Sequence, residues 1–373
     1  MRRPAVRSRK HLIRPARDGG PAPGPRGITG VSRARPGAKE VPGVDSFEGK
    51  LAVVTGGGSG MGRELVRQLA AQGCSVAACD LNAGTVAEVA AAAGARAPAG
   101  IAVTGHACDV SDEAQVQRFR DELLEQHGRA HVDLVFSNAG IGGGESFLQS
   151  PREQWERTFA VDWWGVYYCA RVFLPLLRAS GDGVLVNTSS VNGFWAALGP
   201  GVPNSAYSAA KFAVRGFSEG LIEDLRAHAP QVRVAVVLPG HVGTDIIANS
   251  LRARGLPEPA DMSDAQLDQV IPSGARPEGL SGDDLRALLA QANAGFRDQA
   301  PLSAADAAAI ILDGVRAGDW RILVGQDARL LDQLVRAKPE AAYDWDYLAS
   351  ATAPGAAAPG PAEPGPAAPE PAQ

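Results

Sequence analysis

Long hydrophobic runs are what this sequence most lacks. The longest, "VYYCARVFLPLL" from Val166, is broken by Arg171 and Pro175, whereas a membrane-spanning helix needs about 20 apolar residues in succession. Near the start, "HLIRPARDGG" offers only Leu12 and Ile13 after the basic residues, too little for the apolar core of a secretory signal. Cysteine is also scarce: the four present, Cys74, Cys79, Cys108 and Cys169, have no paired spacing of the kind that holds a metal. Two of them, Cys79 and Cys108, fall in β-rich runs, so core thiols are the expected reading, and a reducing cytoplasm is the expected compartment. No period of solenoid type recurs along the chain.

Large apolar residues are missing from both ends as well. Residues 1–45 hold nine Arg and two Lys against Asp18, Glu40 and Asp45, with seven Pro and seven Gly among them. Such a stretch cannot bury enough apolar surface to offset the entropy of ordering it, and a disordered arm is expected there. From residue 341 an Ala/Pro-rich, linker-like tail is expected to follow a single domain over residues 46–340. The arm is +8 while the whole chain is −5, leaving about −13 on the remainder. An acidic body excludes nucleic acid as its main ligand, and the Pro and Gly of the arm would spoil an amphipathic membrane helix.

Between these ends, short β-rich runs alternate with helix-period segments. "LAVVT" (51–55), "SVAACD" (75–80), "IAVTGHACDV" (101–110), "VDLVFS" (132–137), "GVLVNTS" (183–189), "VRVAVVL" (232–238) and "WRILVG" (320–325) are hydrophobic with little polar alternation. That pattern marks strands buried on both faces of a parallel sheet. The fold expected is therefore α/β: a doubly wound parallel sheet of about seven strands with right-handed crossovers, the Rossmann arrangement. One long excursion, residues 245–300, follows a strand's carboxyl end and reads as a substrate loop or lid.

"VVTGGGSGMGRELV" puts Gly56, Gly60 and Gly62 between the first strand and the first helix. Glycine there permits a tight turn and lets the backbone approach a pyrophosphate held at the helix N-terminus. Asp80 ends the second strand, where a carboxylate accepts hydrogen bonds from the ribose hydroxyls of NAD and repels the 2′-phosphate of NADP. No basic residue follows in "DLNAG", and Ser59 occupies the loop position where one could have served NADP. NAD is favoured over NADP, with a simple helix cap as the other reading of Asp80.

Six motifs in order, "TGGGSGMG", "CDV" (108–110), "SNAG" (137–140), "NTSS" (187–190), "YSAAK" (207–211) and "PGHVGT" (239–244), make the chain resemble the short-chain dehydrogenase/reductases from about Phe47 to Gly325. The resemblance implies that Ser190 orients a substrate oxygen, Tyr207 exchanges its proton, and Lys211 holds the nicotinamide ribose. It implies cofactor contacts at Gly56, Ser59, Gly60, Met61, Gly62, Asp80 and Leu81, and at Asp109 and Val110 beside the adenine. Further contacts are implied at Asn138, Ala139 and Gly140, and at Pro239, Gly240, Val242 and Thr244 near the carboxamide. Asn138 reads equally as a tie between strand ends, and His241 as a residue that shapes its loop. A homodimer or homotetramer is implied, built on the helices holding Trp155 to Leu177 and Tyr207 to Ala227. Trp163, Trp164, Tyr167 and Tyr168 then read as packing or subunit contacts.

Physical chemistry agrees with those roles. A free phenol has a pKa of about 10, and a nearby ammonium favours the phenolate. Tyr207 and Lys211 lie four apart, one helical turn, on the same side. Two departures from the family pattern stand out. Asp162 takes the place of a common Asn as the fourth member of the site, and the connection from Ser190 to Tyr207 is several residues longer than usual, which keeps Ser189 as a rival to Ser190. The expected activity is hydride transfer between NAD(P) and a secondary alcohol or ketone. Leu251, Leu256, Met262, Leu267, Ile271, Leu280 and Leu285 of the lid suggest a bulky apolar substrate. An NADPH-dependent 3-oxoacyl reductase and a non-catalytic NAD-binding regulator are the alternatives.

Overall fold

Alternate residues of the first strand enter different cores. In β1 (Leu51–Thr55), Ala52 and Val54 pack with one helical layer and Leu51 and Val53 with the other, all fully buried. A strand covered on both faces must be apolar throughout, which is why "LAVVT" carries no alternation. The structure, a computed structural model, describes residues 43–144, 146–271 and 279–352.

After β1 come α1 (Gly60–Ala71), β2 (Ser75–Asp80), α2 (Ala83–Gly94), β3 (Val103–Ala107), α3 (Glu113–His127) and β4 (Leu134–Ser137). The second half runs α4 (Arg152–Phe159), α5 (Gly165–Ser180), β5 (Gly183–Thr188), α6 (Ser205–His228), β6 (Val232–Pro239) and β7 (Val242–Gly243). Then follow α7 (Ile246–Ala253), α8 (Asp264–Val270), α9 (Gly282–Asp298), β8 (Leu302–Ser303), α10 (Ala304–Ala317), β9 (Arg321–Val324), α11 (Gln326–Ala337) and α12 (Trp345–Thr352).

The main sheet is parallel with order β3-β2-β1-β4-β5-β6-β9. Helices α1, α2 and α10 cover one face; α3, α5 and α6 cover the other. The doubly wound expectation is met, and strand order reverses between β1 and β4, where a crevice opens at the carboxyl ends. One strand is shorter than expected: β3 covers Val103–Ala107 rather than 101–110. With β2 as its neighbour on one side only, it is half exposed and pairs over a shorter length.

The excursion after β6 has its own small core. Leu251, Leu256, Met262, Leu267 and Leu285 are buried together, with Ile271 packed against them, while Leu280 is exposed. Ser263 and Ser281 start α8 and α9 with reciprocal capping boxes, and β7 pairs with β8 where the chain returns. These apolar side chains hold the lid together, so they are no measure of a bulky apolar substrate.

Both domain boundaries move outward. Val44 and Phe47 are buried in the core with α1 and α10, so the body begins before residue 46. At the other end the chain stays ordered beyond residue 341: α12 follows, and the Trp195 indole donates to the Ala342 carbonyl at 2.6 Å. The remainder of the expected arm and tail lies outside the described residues. Among the described residues, no helix is long and apolar enough to cross a membrane.

Candidate active site

A cleft of about 580 Å³ lies at the carboxyl edge of the sheet, over the β1/β4 reversal. Gly56, Ser59, Gly60, Met61, Asp80, Leu81, Asp109, Val110, Asn138, Ala139, Gly140 and Thr244 line it. Gly62 sits behind the loop, so close to it that a Cβ there would stand 2.0 Å from the Gly56 carbonyl oxygen. The Ser59 side chain makes no capping bond to α1. The helix's first amides therefore keep their pull on an anion.

Asp80 does not cap α2; the Asn82 side chain does, accepting from the Gly84 and Thr85 amides. The Asp80 carboxylate instead accepts from the Gly58 amide and the Asn82 amide, each at 3.0 Å. Its oxygens are thereby fixed beside the glycine loop with acceptor capacity to spare. At the next strand end, the Asp109 carboxylate accepts from Ser111 and pairs with Arg157 at 2.9 Å. Burial opposes its charge, but Ser111 and Arg157 outweigh that and hold its pKa below the ordinary value. Asn138 is the strand tie that one reading gave, donating to the Thr55 carbonyl at 3.1 Å. Its Oδ1, buried in the cleft wall, has no protein partner.

The segment after β6 divides. Thr244 faces the cleft, whereas Pro239, Gly240 and Val242 do not line it. Gly240 packs on the Asp327 carboxylate, the His241 amide donates to that carboxylate at 2.6 Å, and Val242 enters the core. His241 shapes its loop through Phe296, whose carbonyl lies 2.8 Å from Nε2.

Next to Gly140 of the cleft wall, Lys211 shares one side of α6 with Tyr207, its ammonium 5.3 Å from the tyrosine ring centre. The Ser190 hydroxyl is near enough to the Tyr207 hydroxyl to favour its phenolate, and it accepts from the Asn192 amide at 3.1 Å. Ser189 turns the other way and donates to the Lys211 carbonyl at 2.7 Å. Of the two hydroxyls, that of Ser190 is the one that acts on Tyr207. Asp162 lies in a wide π-type turn, Ala160–Trp164, that interrupts the passage from α4 to α5. Its Oδ1 is 2.9 Å from the Lys211 ammonium and accepts from the Ile141 amide at 3.3 Å. Four side chains from three elements thus meet at one place.

The lysine's pull on the phenol is opposed within this cluster. Burial pushes the Tyr207 pKa up, Lys211 pulls it down, Asp162 pushes it up again and the Ser190 hydroxyl pulls it down a little; the net direction is up from the ordinary phenol value. The lysine favours the phenolate as expected but is outweighed, first by burial and then by the Asp162 carboxylate. Burial also disfavours the Lys211 ammonium, yet Asp162 and Tyr207 more than compensate and its pKa rises.

The long connection after Ser190 is braced from two sides. The Asn192 side-chain amide donates to the carbonyls of Trp195 and Ala197. Beyond it, Trp195 meets Trp345 edge-on at 5.7 Å and the Ala196 amide donates to the Tyr343 hydroxyl. The extra residues are therefore docked under the C-terminal helix. Sequence reasoning missed this brace, and also missed Arg157, Asn249 and Arg252 as cleft residues. Asn249, on the lid helix α7, donates to the Ser59 hydroxyl at 2.9 Å, and Ser250 accepts from the Gly142 amide at 2.7 Å.

The four cysteines are free and buried, as expected. Burial pushes Cys74 and Cys169 up to about 12, which leaves them as unreactive thiols.

A glycine loop at a helix N-terminus and an acidic strand end in one cleft, with a Ser-Tyr-Lys cluster against its wall at Gly140, are the features of a dinucleotide-binding α/β site. The short chain dehydrogenase profile matches residues 50–255. The SadH protein of Mycobacterium tuberculosis, named as an oxidoreductase, is 34% identical over 79% of this chain and 92% of its own. Levodione reductase of Leifsonia aquatica is 32% identical over 62% of this chain and 85% of its own. A short-chain dehydrogenase/reductase from Burkholderia phymatum in complex with NAD superimposes with a TM-score of 0.64 at 30% identity, covering 79% of this chain and 95% of that one. The chain belongs to the short-chain dehydrogenase family, whose members are NAD(P)-dependent oxidoreductases. The cleft fits that cofactor: uncapped α1 amides for a pyrophosphate, a fixed carboxylate for a ribose, and the unpartnered Asn138 Oδ1.

Proposed function

We propose that the protein is a cytoplasmic NAD-dependent dehydrogenase or reductase acting on a secondary alcohol or its ketone. The observation that carries the reading is the gathering of Tyr207, Lys211 and Ser190 beside Gly140 of the cleft wall, with the Lys211 ammonium 5.3 Å from the tyrosine ring centre. When bound, the nicotinamide ring accepts or supplies the hydride. In this reading Ser190 donates to the substrate oxygen and fixes it against Tyr207. Tyr207 takes the hydroxyl proton in oxidation and returns it in reduction. Lys211 supplies positive charge beside the phenol and a donor for the nicotinamide ribose, while the glycine loop and α1 hold the pyrophosphate.

The preference for NAD rests on Asp80. Its carboxylate, pinned by two backbone amides, stands where the 2′-phosphate of NADP would be repelled. Replacing it, Asp80→Ala, is expected to weaken NAD binding by roughly 10–100-fold, the loss of one or two hydrogen bonds to a charged group, and to leave NADP binding equal or improved. Titrating both reduced cofactors by fluorescence measures this; an unchanged NAD to NADP ratio removes Asp80 from the role. Turnover with NADPH alone would instead support a 3-oxoacyl reductase. Binding without turnover over a wide panel of ketones and alcohols would support a regulator.

The lid's leucines give no support for a bulky apolar substrate, since they are buried in one another. The proposed assembly is a homodimer or homotetramer through α5 and α6. There Trp163, Trp164, Tyr167, Tyr168 and Phe217 form a continuous ring cluster, with Trp164 and Phe212 exposed.

A further inference from the structure

The Asp162 and Lys211 side chains are both essentially out of solvent, 0% and 3% exposed, and 2.9 Å apart. The space between the strand end and this pair is taken up so fully that a Cβ on Gly140 would sit 2.6 Å from Asp162 Oδ1 and 3.2 Å from the Lys211 ammonium. Lys211 also donates to the Thr188 carbonyl at 3.2 Å. The second carboxylate oxygen of Asp162 is buried with no protein partner. Little water is at hand to screen this charge, so its influence on neighbours is large.

We propose that Asp162 is a positioning residue that acts on the reaction through Lys211: as the lysine's fixed, buried counter-charge it decides how readily Tyr207 gives up its proton. The inference rests on the reading of Tyr207 as the proton-exchanging group. With Asp162 present, the site carries a closed plus-minus pair beside a neutral phenol. Without it, the phenolate itself becomes the counter-charge of the ammonium.

The charges facing the phenol are few. Its own helix brings Lys211, and the π-type turn brings Asp162. The strand end from Thr188 to Ser190 brings a carbonyl and hydroxyls. The stretch Asn138–Gly144 brings no ionisable side chain. From the lid, Arg254 is bonded to Gln154 of α4 and to the Ser250 carbonyl, and it is not among the charges that act on Tyr207.

The test is a charge cycle read by fluorine NMR on fluorotyrosine-labelled protein without cofactor. The Tyr207 resonance among the five tyrosines is assigned by Tyr207→Phe. Asp162→Asn should lower the pH at which Tyr207 ionises, by about one to three pH units. Lys211→Met should raise it, and the double variant, which restores neutrality, should return it near the wild-type value. If Asp162→Asn alone fails to fold, the double variant against Lys211→Met still isolates Asp162, because removing the carboxylate must then bring the transition down. A Tyr207 titration indifferent to Asp162 in both backgrounds overturns the proposal. The acid limb of the kcat/KM pH profile should move with the NMR transition in Asp162→Asn. The ordered titrations without any NAD-dependent turnover would uphold the electrostatic role and reject the catalytic reading of Tyr207.

Discussion

Turnover falls by roughly 10²–10⁴-fold when Tyr207 is replaced by Phe, the usual worth of a general acid or base, while NADH binding changes by no more than a few fold. Only the hydroxyl is lost, so the packing of the ring on α6 and its contact with Lys211 persist. In the proposed reading cofactor affinity is carried elsewhere, at the glycine loop and Asp80. Steady-state kinetics beside an NADH fluorescence titration separates the two effects. A proportional loss of binding and turnover would mean that Tyr207 holds the site's shape and performs no proton exchange.

The second large effect is expected at Gly62. A Cβ at this position meets the Gly56 carbonyl oxygen at 2.0 Å and the Asn138 side-chain nitrogen at 2.7 Å. The first of these is backbone and cannot swing aside, so Gly62→Ala must push α1 away from the loop that β1 feeds. Overpacking of this kind costs about 1–3 kcal/mol. Because the displaced groups are the α1 amides and the tie from Asn138 to Thr55, saturable NADH binding should be lost even where the fold survives. A thermal melt and a binding titration on the same sample show both. Native affinity in Gly62→Ala would mean that the close approach of helix and loop is not what holds the pyrophosphate.

The parts of this account that the sequence makes legible are those set by local pattern. Strands buried on both faces announce themselves as unbroken apolar runs, and "LAVVT" and "SVAACD" match β1 and β2 residue for residue. Tyr207 and Lys211 needed only helix spacing to be put together. What stayed hidden depends on partners far away in the chain. Apolar residues such as Met262 and Leu285 declare that they will be buried but not against what, and they chose each other. Trp195 finds Ala342 across 147 positions and Asn249 finds Ser59 across 190, contacts with no local signature. The chain after residue 341 reads as linker by its composition, although Ala342, Tyr343 and Trp345 form the brace over the loop following Ser190. The charge on Asp162 was visible, yet its effect on Tyr207 could be signed only once Lys211 was seen to lie between burial and a carboxylate.

The most direct test of the central claim is a crystal structure of the protein grown with NAD. The account predicts the dinucleotide extended along the cleft, its adenosine ribose hydroxyls on the Asp80 carboxylate, its pyrophosphate over the first amides of α1, and its nicotinamide facing Tyr207 and Ser190. A nucleotide bound elsewhere, or bound in the cleft with the nicotinamide turned away from Tyr207, would contradict it.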